Sequence, residues 1–218
     1  MLVQLGKNAR KAAARLGTAG IEEKNHALLA VADALEQQKE YLLEENQKDI
    51  KNAKESGMTE ALIDRLALTE ARIEGMSEGI RQVAALEDPI GEVMNMKKRP
   101  NGLLIGQKRV PLGVIGIIYE SRPNVTADAF SLCFKTGNAV ILRGGSDAIY
   151  SNTAITSVIR STLKDCGMTA DAIQLVTDTS RETATKLMQL NDYIDVLIPR
   201  GGAGLIQAVV KNATVPVI

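Results

Sequence analysis

Four short stretches of this chain carry residue types that could do chemistry: Glu120-Ser121-Arg122-Pro123-Asn124, Arg143-Gly144-Gly145-Ser146-Asp147, Thr177-Asp178-Thr179-Ser180-Arg181 and Arg200-Gly201-Gly202-Ala203-Gly204. Each follows a short apolar run, and Arg122, Arg143 and Arg200 stand just beyond three of those runs. A guanidinium fork matches phosphate geometry, and the free N–H groups of a helix start add donors, so the face these turns share suits a phosphorylated ligand. An arginine that merely ends a strand is common, but three on one predicted face weigh towards an anion site. The last turn contains Gly202-x-Gly204, yet Gln207 stands where a third glycine would complete a dinucleotide fingerprint. Read alone, it is as well explained by a strand-to-helix turn that uses glycine for backbone freedom.

The elements that must position these turns fall into three stretches. From residue 1 to 86 the pattern is helical, with Leu28, Val31, Ala32 and Leu35, then Ile73, Met76, Ile80 and Val83, at helical spacing. Thr59 and Thr69 are the expected N-caps there, and Gly17 and Gly57 the expected breaks. Residues 87–111 change to turn signals at Asp88-Pro89 and Pro100-Asn101-Gly102 with short alternating runs, predicting a hairpin. In residues 112–218 five apolar runs alternate with helical segments: Val114 to Tyr119, Ala139 to Leu142, Ile173 to Val176, Val196 to Ile198 and Val215 to Ile218. That alternation predicts an α/β fold with a doubly wound parallel sheet, whose ligands bind beyond the carboxyl ends of the strands.

Composition narrows the function. The 26 basic and 26 acidic side chains balance, and aromatics are only 3% of 218 residues, which argues against a nucleic-acid binder. The amino terminus lacks an apolar run after its first charges and reads as neither secretory signal nor membrane span, so cytoplasm is the expectation. One histidine, His26, in a charged helix start, and two separated cysteines assemble neither a metal site nor a histidine-dependent triad. Cys133, in the run Phe130 to Phe134, reads as a small buried hydrophobe. Cys166, just before Gly167 at a helix end, lacks the cationic surroundings of an activated thiolate.

The stretch VPLGVIGIIYESRPNVTADAFSLCFKTGNAVILRGGSDA from Val110 to Ala148, together with Ile198-Pro199-Arg200-Gly201-Gly202, closely resembles the gamma-glutamyl phosphate reductase family of aldehyde-dehydrogenase-like enzymes. The resemblance implies a Rossmann-like cofactor domain and NADPH-dependent reduction of L-glutamate 5-phosphate to glutamate 5-semialdehyde, the second step from glutamate to proline. In that chemistry a thiolate displaces phosphate and hydride reduces the resulting thioester. The nucleophilic cysteine is expected in a glycine-rich segment after Ile218, so the chain is expected to be an N-terminal part that lacks the catalytic domain and is inactive alone. Arg143 matches a lysine that holds the adenosine ribose, and an arginine there favours NADPH over NADH; Gly144, Gly145 and Ser146 complete that turn. Ser146 either bonds the ribose or phosphate or caps the following helix. Arg200, Gly201 and Gly202 match the turn near the cofactor pyrophosphate. Asn124 is either an oxyanion donor or a helix N-cap, since the tryptophan of general aldehyde dehydrogenases is absent and the asparagine stands two positions late. Ser121 and Arg122 are the expected substrate contacts. The resemblance further implies a homo-oligomer joined through residues 87–111, a segment that on physical grounds alone is equally a surface hairpin with its basic residues in solvent, and glutamate 5-kinase as a possible pathway partner. A dehydrogenase of free aldehydes and a non-catalytic nucleotide-binding module are the alternatives.

Overall fold

A computed structural model describes residues 1–218. Helices α1 (Leu2–Leu16), α2 (Ile21–Gln37), α3 (Lys39–Glu55), α4 (Glu60–Leu66) and α5 (Glu70–Ala85) occupy the first stretch. Their apolar stripes face inward: Leu28, Val31, Ala32 and Leu35 of α2 meet Ile73, Met76 and Ile80 of α5 in one continuous core with the sheet. Thr69 caps α5 by accepting from Arg72 N. Thr59 occupies the N-cap position of α4, but its side chain makes no cap hydrogen bond, so that expectation fails in its detail.

Two buried polar junctions tie this helical layer together. Asn46 of α3 is fully buried; its Nδ2 donates to the Leu66 carbonyl and to Ser151 Oγ, both at 2.9 Å, and its Oδ1 accepts from Leu68 N at 2.8 Å. One turn on, Asp49 accepts from the Ser151 and Tyr150 amides. Elsewhere the ammonium of Lys24, 2% exposed, pairs with Asp88, and Lys135 donates to Asn25 Oδ1 and to the Ala84 carbonyl.

Strands β1 (Val93–Lys98) and β2 (Leu104–Lys108) form an antiparallel hairpin, separate from the main sheet, with every residue exposed. The main sheet comprises β3 (Val114–Tyr119), β4 (Ala139–Arg143), β5 (Ile173–Leu175) and β6 (Val196–Arg200), in the order β5-β4-β3-β6 and parallel throughout. Helices α6 (Asn124–Lys135), α7 (Ile149–Asp165), α8 (Arg181–Met188) and α9 (Ala203–Asn212) complete the α/β unit. Strand β3 is buried along its whole length, as the continuous apolar run Val114 to Tyr119 requires of a central parallel strand. Gly116 at its middle leaves room for a neighbour, since a Cβ there would lie 2.6 Å from Leu197 Cδ2.

The expected fifth strand, Val215 to Ile218, is a correction: it forms only a single bridge, Leu197 to Val217. Leu197 N donates to the Pro216 carbonyl and Ile218 N to the Leu197 carbonyl. Pro216 has no N–H to give, so the ladder is interrupted within the run. No helix is long and apolar enough to cross a membrane.

Candidate functional site

From β3 the chain steps through β4 to β5 on one side, then returns to place β6 on the other side of β3. The switch point therefore lies between β3 and β6, where a parallel α/β sheet opens a crevice at its carboxyl edge. The turns after these two strands meet there. Gly202 N donates to Glu120 Oε2 at 2.9 Å, so the first turn reaches across to the start of α9. The approach is close: a Cβ on Gly201 would lie 2.7 Å from the Glu120 carboxylate carbon and from Leu205 Cδ2.

A cleft of about 400 Å³ opens over these turns, lined by Glu120, Ser121, Arg122, Arg200 and Gly202 and by Arg65 from α4. A second cleft of about 550 Å³ lies between α4, α5 and α6 and shares Arg65 and Arg122 with the first. Arg65, Arg122 and Arg200 take part in no ion pair, as is true of half of the chain's arginines, but these three gather around one crevice. Three unspent guanidinium groups around one crevice make it electropositive and leave their donors available to an anion. At the start of α9 the amides of Ala203, Gly204 and Leu205 make no backbone hydrogen bond, adding to the same donor field.

The predicted site residues thus fall in two groups. Ser121, Arg122, Arg200, Gly201 and Gly202 share the switch-point cleft. Arg143, Gly144, Gly145 and Ser146 lie one strand away, beyond β4, and do not line it, although a Cβ on Gly145 would lie 3.6 Å from Ser121 N. Arg143 is half-buried; its Nη2 donates to the Thr179 carbonyl at 2.6 Å, while its Nε is buried without a partner. Burial holds its pKa below the usual arginine value, against the pull of Asp147 and Asp178. Ser146 is exposed and opens a 3-10 turn over Ser146–Ala148 without a side-chain cap bond, so the capping alternative for it fails. The helix it was expected to cap, α7, has its first amides taken instead by Asp49.

Asn124 does not cap α6 either. Pro123 already has helical backbone angles and holds the cap position, so Asn124 is the first helical residue and its Nδ2 donates forward to Asp128 Oδ2 at 3.1 Å. In the Thr177 to Arg181 loop, Ser180 caps α8, and Thr183 Oγ1 donates to Asp178 Oδ2 at 2.6 Å, which with the Ser180 amide holds the Asp178 carboxyl below its usual range. Cys133 is buried, and burial pushes its thiol up to about 12. Burial, and then Asp165, raise Cys166 as well, so neither thiol is an activated nucleophile.

Sequence reasoning missed Arg65 and Asp128. Arg65 sits on a seven-residue helix with no local signature, and Asp128 lies inside α6, where an acidic residue reads as ordinary surface. Spacing alone offered one signal for the latter, Asn124 and Asp128 being four apart on one helix face.

Residues 4–217 match the model of the aldehyde dehydrogenase family. The chain belongs to the aldehyde dehydrogenase family. Among its curated relatives are gamma-glutamyl phosphate reductases of Lachnospira eligens, 62% identical, and Clostridium perfringens, 58% identical, each over 217 residues, 100% of this chain and 52% of the relative. Among solved structures it superposes on the gamma-glutamyl phosphate reductase of Thermotoga maritima with a TM-score of 0.97 at 44% identity, covering 99% of this chain and 52% of that one. An 18% identical glyceraldehyde-3-phosphate dehydrogenase of Methanocaldococcus jannaschii, solved with NADP, shares the fold alone, with a TM-score of 0.74 over 98% of this chain and 44% of that one. The chain spans about half the length of the curated relatives it matches. Within the aldehyde dehydrogenase fold, the crevice between β3 and β6 is a cationic cleft to which this chain contributes the turns after both strands and Arg65 of α4.

Proposed function

We propose that this chain is the cofactor-side portion of a gamma-glutamyl phosphate reductase, which reduces L-glutamate 5-phosphate to glutamate 5-semialdehyde with NADPH and releases phosphate, in proline biosynthesis. The observation that carries the reading is the switch-point cleft, lined by three arginines in no ion pair, in a chain 62% identical to a reductase of an acyl phosphate. A free aldehyde needs no such cationic surround; an acyl phosphate does.

The residues fit a nicotinamide dinucleotide. The open amides at the start of α9 suit a pyrophosphate, and the orphaned Nε of Arg143 leaves a charged donor for the adenosine end, which supports NADPH over NADH. NADPH, when bound, supplies the hydride. Glu120 must then give up the Gly202 amide, because a carboxylate and a pyrophosphate cannot share it. Gly201 and Gly202 keep the backbone bare enough for that approach, and Gly144, Gly145 and Ser146 border the adenosine side. Arg122, with Ser121, meets the acyl phosphate, and Arg200 adds positive charge behind it. Asn124 stands beside the same turn and orients Asp128; as an oxyanion donor it would have to release that bond. The exposed β1–β2 hairpin is the subunit contact of a homo-oligomer, and the enzyme is cytoplasmic.

The test is a chimera joining this chain to the second half of the Lachnospira eligens relative. It should reduce NADP+ only when glutamate 5-semialdehyde and inorganic phosphate are both present, and Arg122→Ala should remove most of that rate. A folded chimera without phosphate-dependent turnover, beside an active parent, would sink the reading.

A further inference from the structure

We propose that the cleft between α4, α5 and α6 receives the α-amino-acid head of the substrate, with Asp128 pairing its ammonium group and Arg65 its α-carboxylate, while Arg122 at the border stays with the acyl phosphate; this rests on the reductase reading, which supplies an amino acid as ligand. The cleft, of about 550 Å³, is lined by charges of both signs, and they divide into spent and unspent. Arg72 and Asp64 satisfy each other, with Arg72 Nη2 at 3.0 and 3.2 Å from the two carboxylate oxygens. Arg65 and Arg122 have no carboxylate partner. Asp128 has no cation within ion-pair distance: its Oδ2 accepts only from Asn124, its Oδ1 has no donor, and Arg200 acts on it only from farther off.

Asp128 is half-buried, and burial raises its carboxyl above the usual range, as expected of a carboxylate short of partners. A partly desolvated carboxylate beside unpaired guanidinium groups is complementary to a zwitterion. It is not complementary to a bare dianion, which Asp128 would repel, so the phosphoryl group belongs in the neighbouring cleft. The geometry is consistent with one extended ligand, since Arg65 and Arg122 line both clefts and mark their border. With the head between the helices, the acyl end of the ligand points to the turns of Glu120 and Gly202. Asp128 would then act as a specificity residue, rejecting five-carbon acyl groups that lack the amino group.

Every residue named for the head group lies in this chain, so the chain itself is tested by amide NMR titration with two probes, L-glutamate 5-methyl ester and monomethyl glutarate, which differ only in the ammonium group. The ester should shift the amides from Asn124 to Asp128 and bind at least about tenfold more tightly than monomethyl glutarate, the scale of a charge-assisted hydrogen bond. Asp128→Asn should bring the two probes within about twofold of each other, whereas Arg65→Ala should weaken both alike by about tenfold. Equal affinity of wild type for the two probes, a preference that survives Asp128→Asn, or no shift at millimolar ester would overturn the proposal. The wild-type comparison decides it even if a variant fails to fold. Because these readouts need neither cofactor nor turnover, an inactive chimera with intact discrimination removes the reductase reading alone, and an active chimera without discrimination removes this one alone.

Discussion

Asn46→Ala should cost far more than an ordinary polar-to-alanine change, and the structure says why. Its side-chain amide is the sole partner of the Leu66 carbonyl and of the Leu68 N–H, the backbone groups that link α4 to α5. Ser151 is better insured, because its hydroxyl still donates to Asp49 at 2.6 Å after the loss. Truncation therefore strands two buried backbone groups, each costing roughly 1–2 kcal/mol, and removes the packing of a fully buried amide, for a total of about 3 kcal/mol. Urea unfolding followed by circular dichroism would read this as a lower midpoint at unchanged slope. A second consequence is local: α4 carries Leu62 and Arg65 into the switch-point cleft, so its amides should lose hydrogen-exchange protection more than those of β3. A loss below about 1 kcal/mol, with α4 still protected, would refute the reasoning, because it would mean that water or a backbone shift satisfies those groups at little cost.

Asp88→Ala should destabilise the chain by about 3–5 kcal/mol in the same urea assay, since it leaves the Lys24 ammonium buried and unpaired, and adding Lys24→Met should recover most of the loss. Glu120→Ala should tighten NADPH binding by about threefold in calorimetric titration, because the carboxylate competes for the Gly202 amide at the start of α9; weaker binding would show that Glu120 serves the cofactor instead. In the folded chain, iodoacetamide should label Cys166 and spare Cys133, whose raised pKa leaves almost no thiolate at pH 8. Cys166, itself raised, should react more slowly than a free thiol and faster as pH climbs, and Cys133 should appear only in denaturant; early labelling of Cys133 would contradict the burial of α6.

Much of the fold was legible because its signals are local. Continuous apolar runs marked β3 to β6, and helical spacing of Leu28, Val31 and Leu35 marked the buried face of α2. The failed fifth strand shows the limit of that logic: Val215 to Ile218 is apolar enough, but one missing N–H at Pro216 stops the ladder. At the site, the arginines and glycines next to strands could be read directly, since topology sends every such turn to one edge. Which turns meet could not. That depends on strand order, and only β6 lying beside β3 brings Arg200 to Arg122 while leaving Arg143 a strand away. Arg65 and Asp128 were illegible for a further reason, because their relevance comes from tertiary placement through Asn46 and from the partners that their neighbours have already taken.

The hairpin of β1 and β2 carries a consequence of its own. Met94, Met96, Leu104 and Ile105 are about half exposed on a ribbon that touches no third strand, and both of its edges are open. Two strands alone are marginal in water, and open edges can take a further strand. If a second copy shares it about a two-fold axis, each side chain on the paired strand meets the seam twice, once from either side. A single genetic change such as Met96→Glu would then be felt as two, placing a pair of like charges across the axis, and this short segment would tolerate less drift than its exposure in one chain suggests.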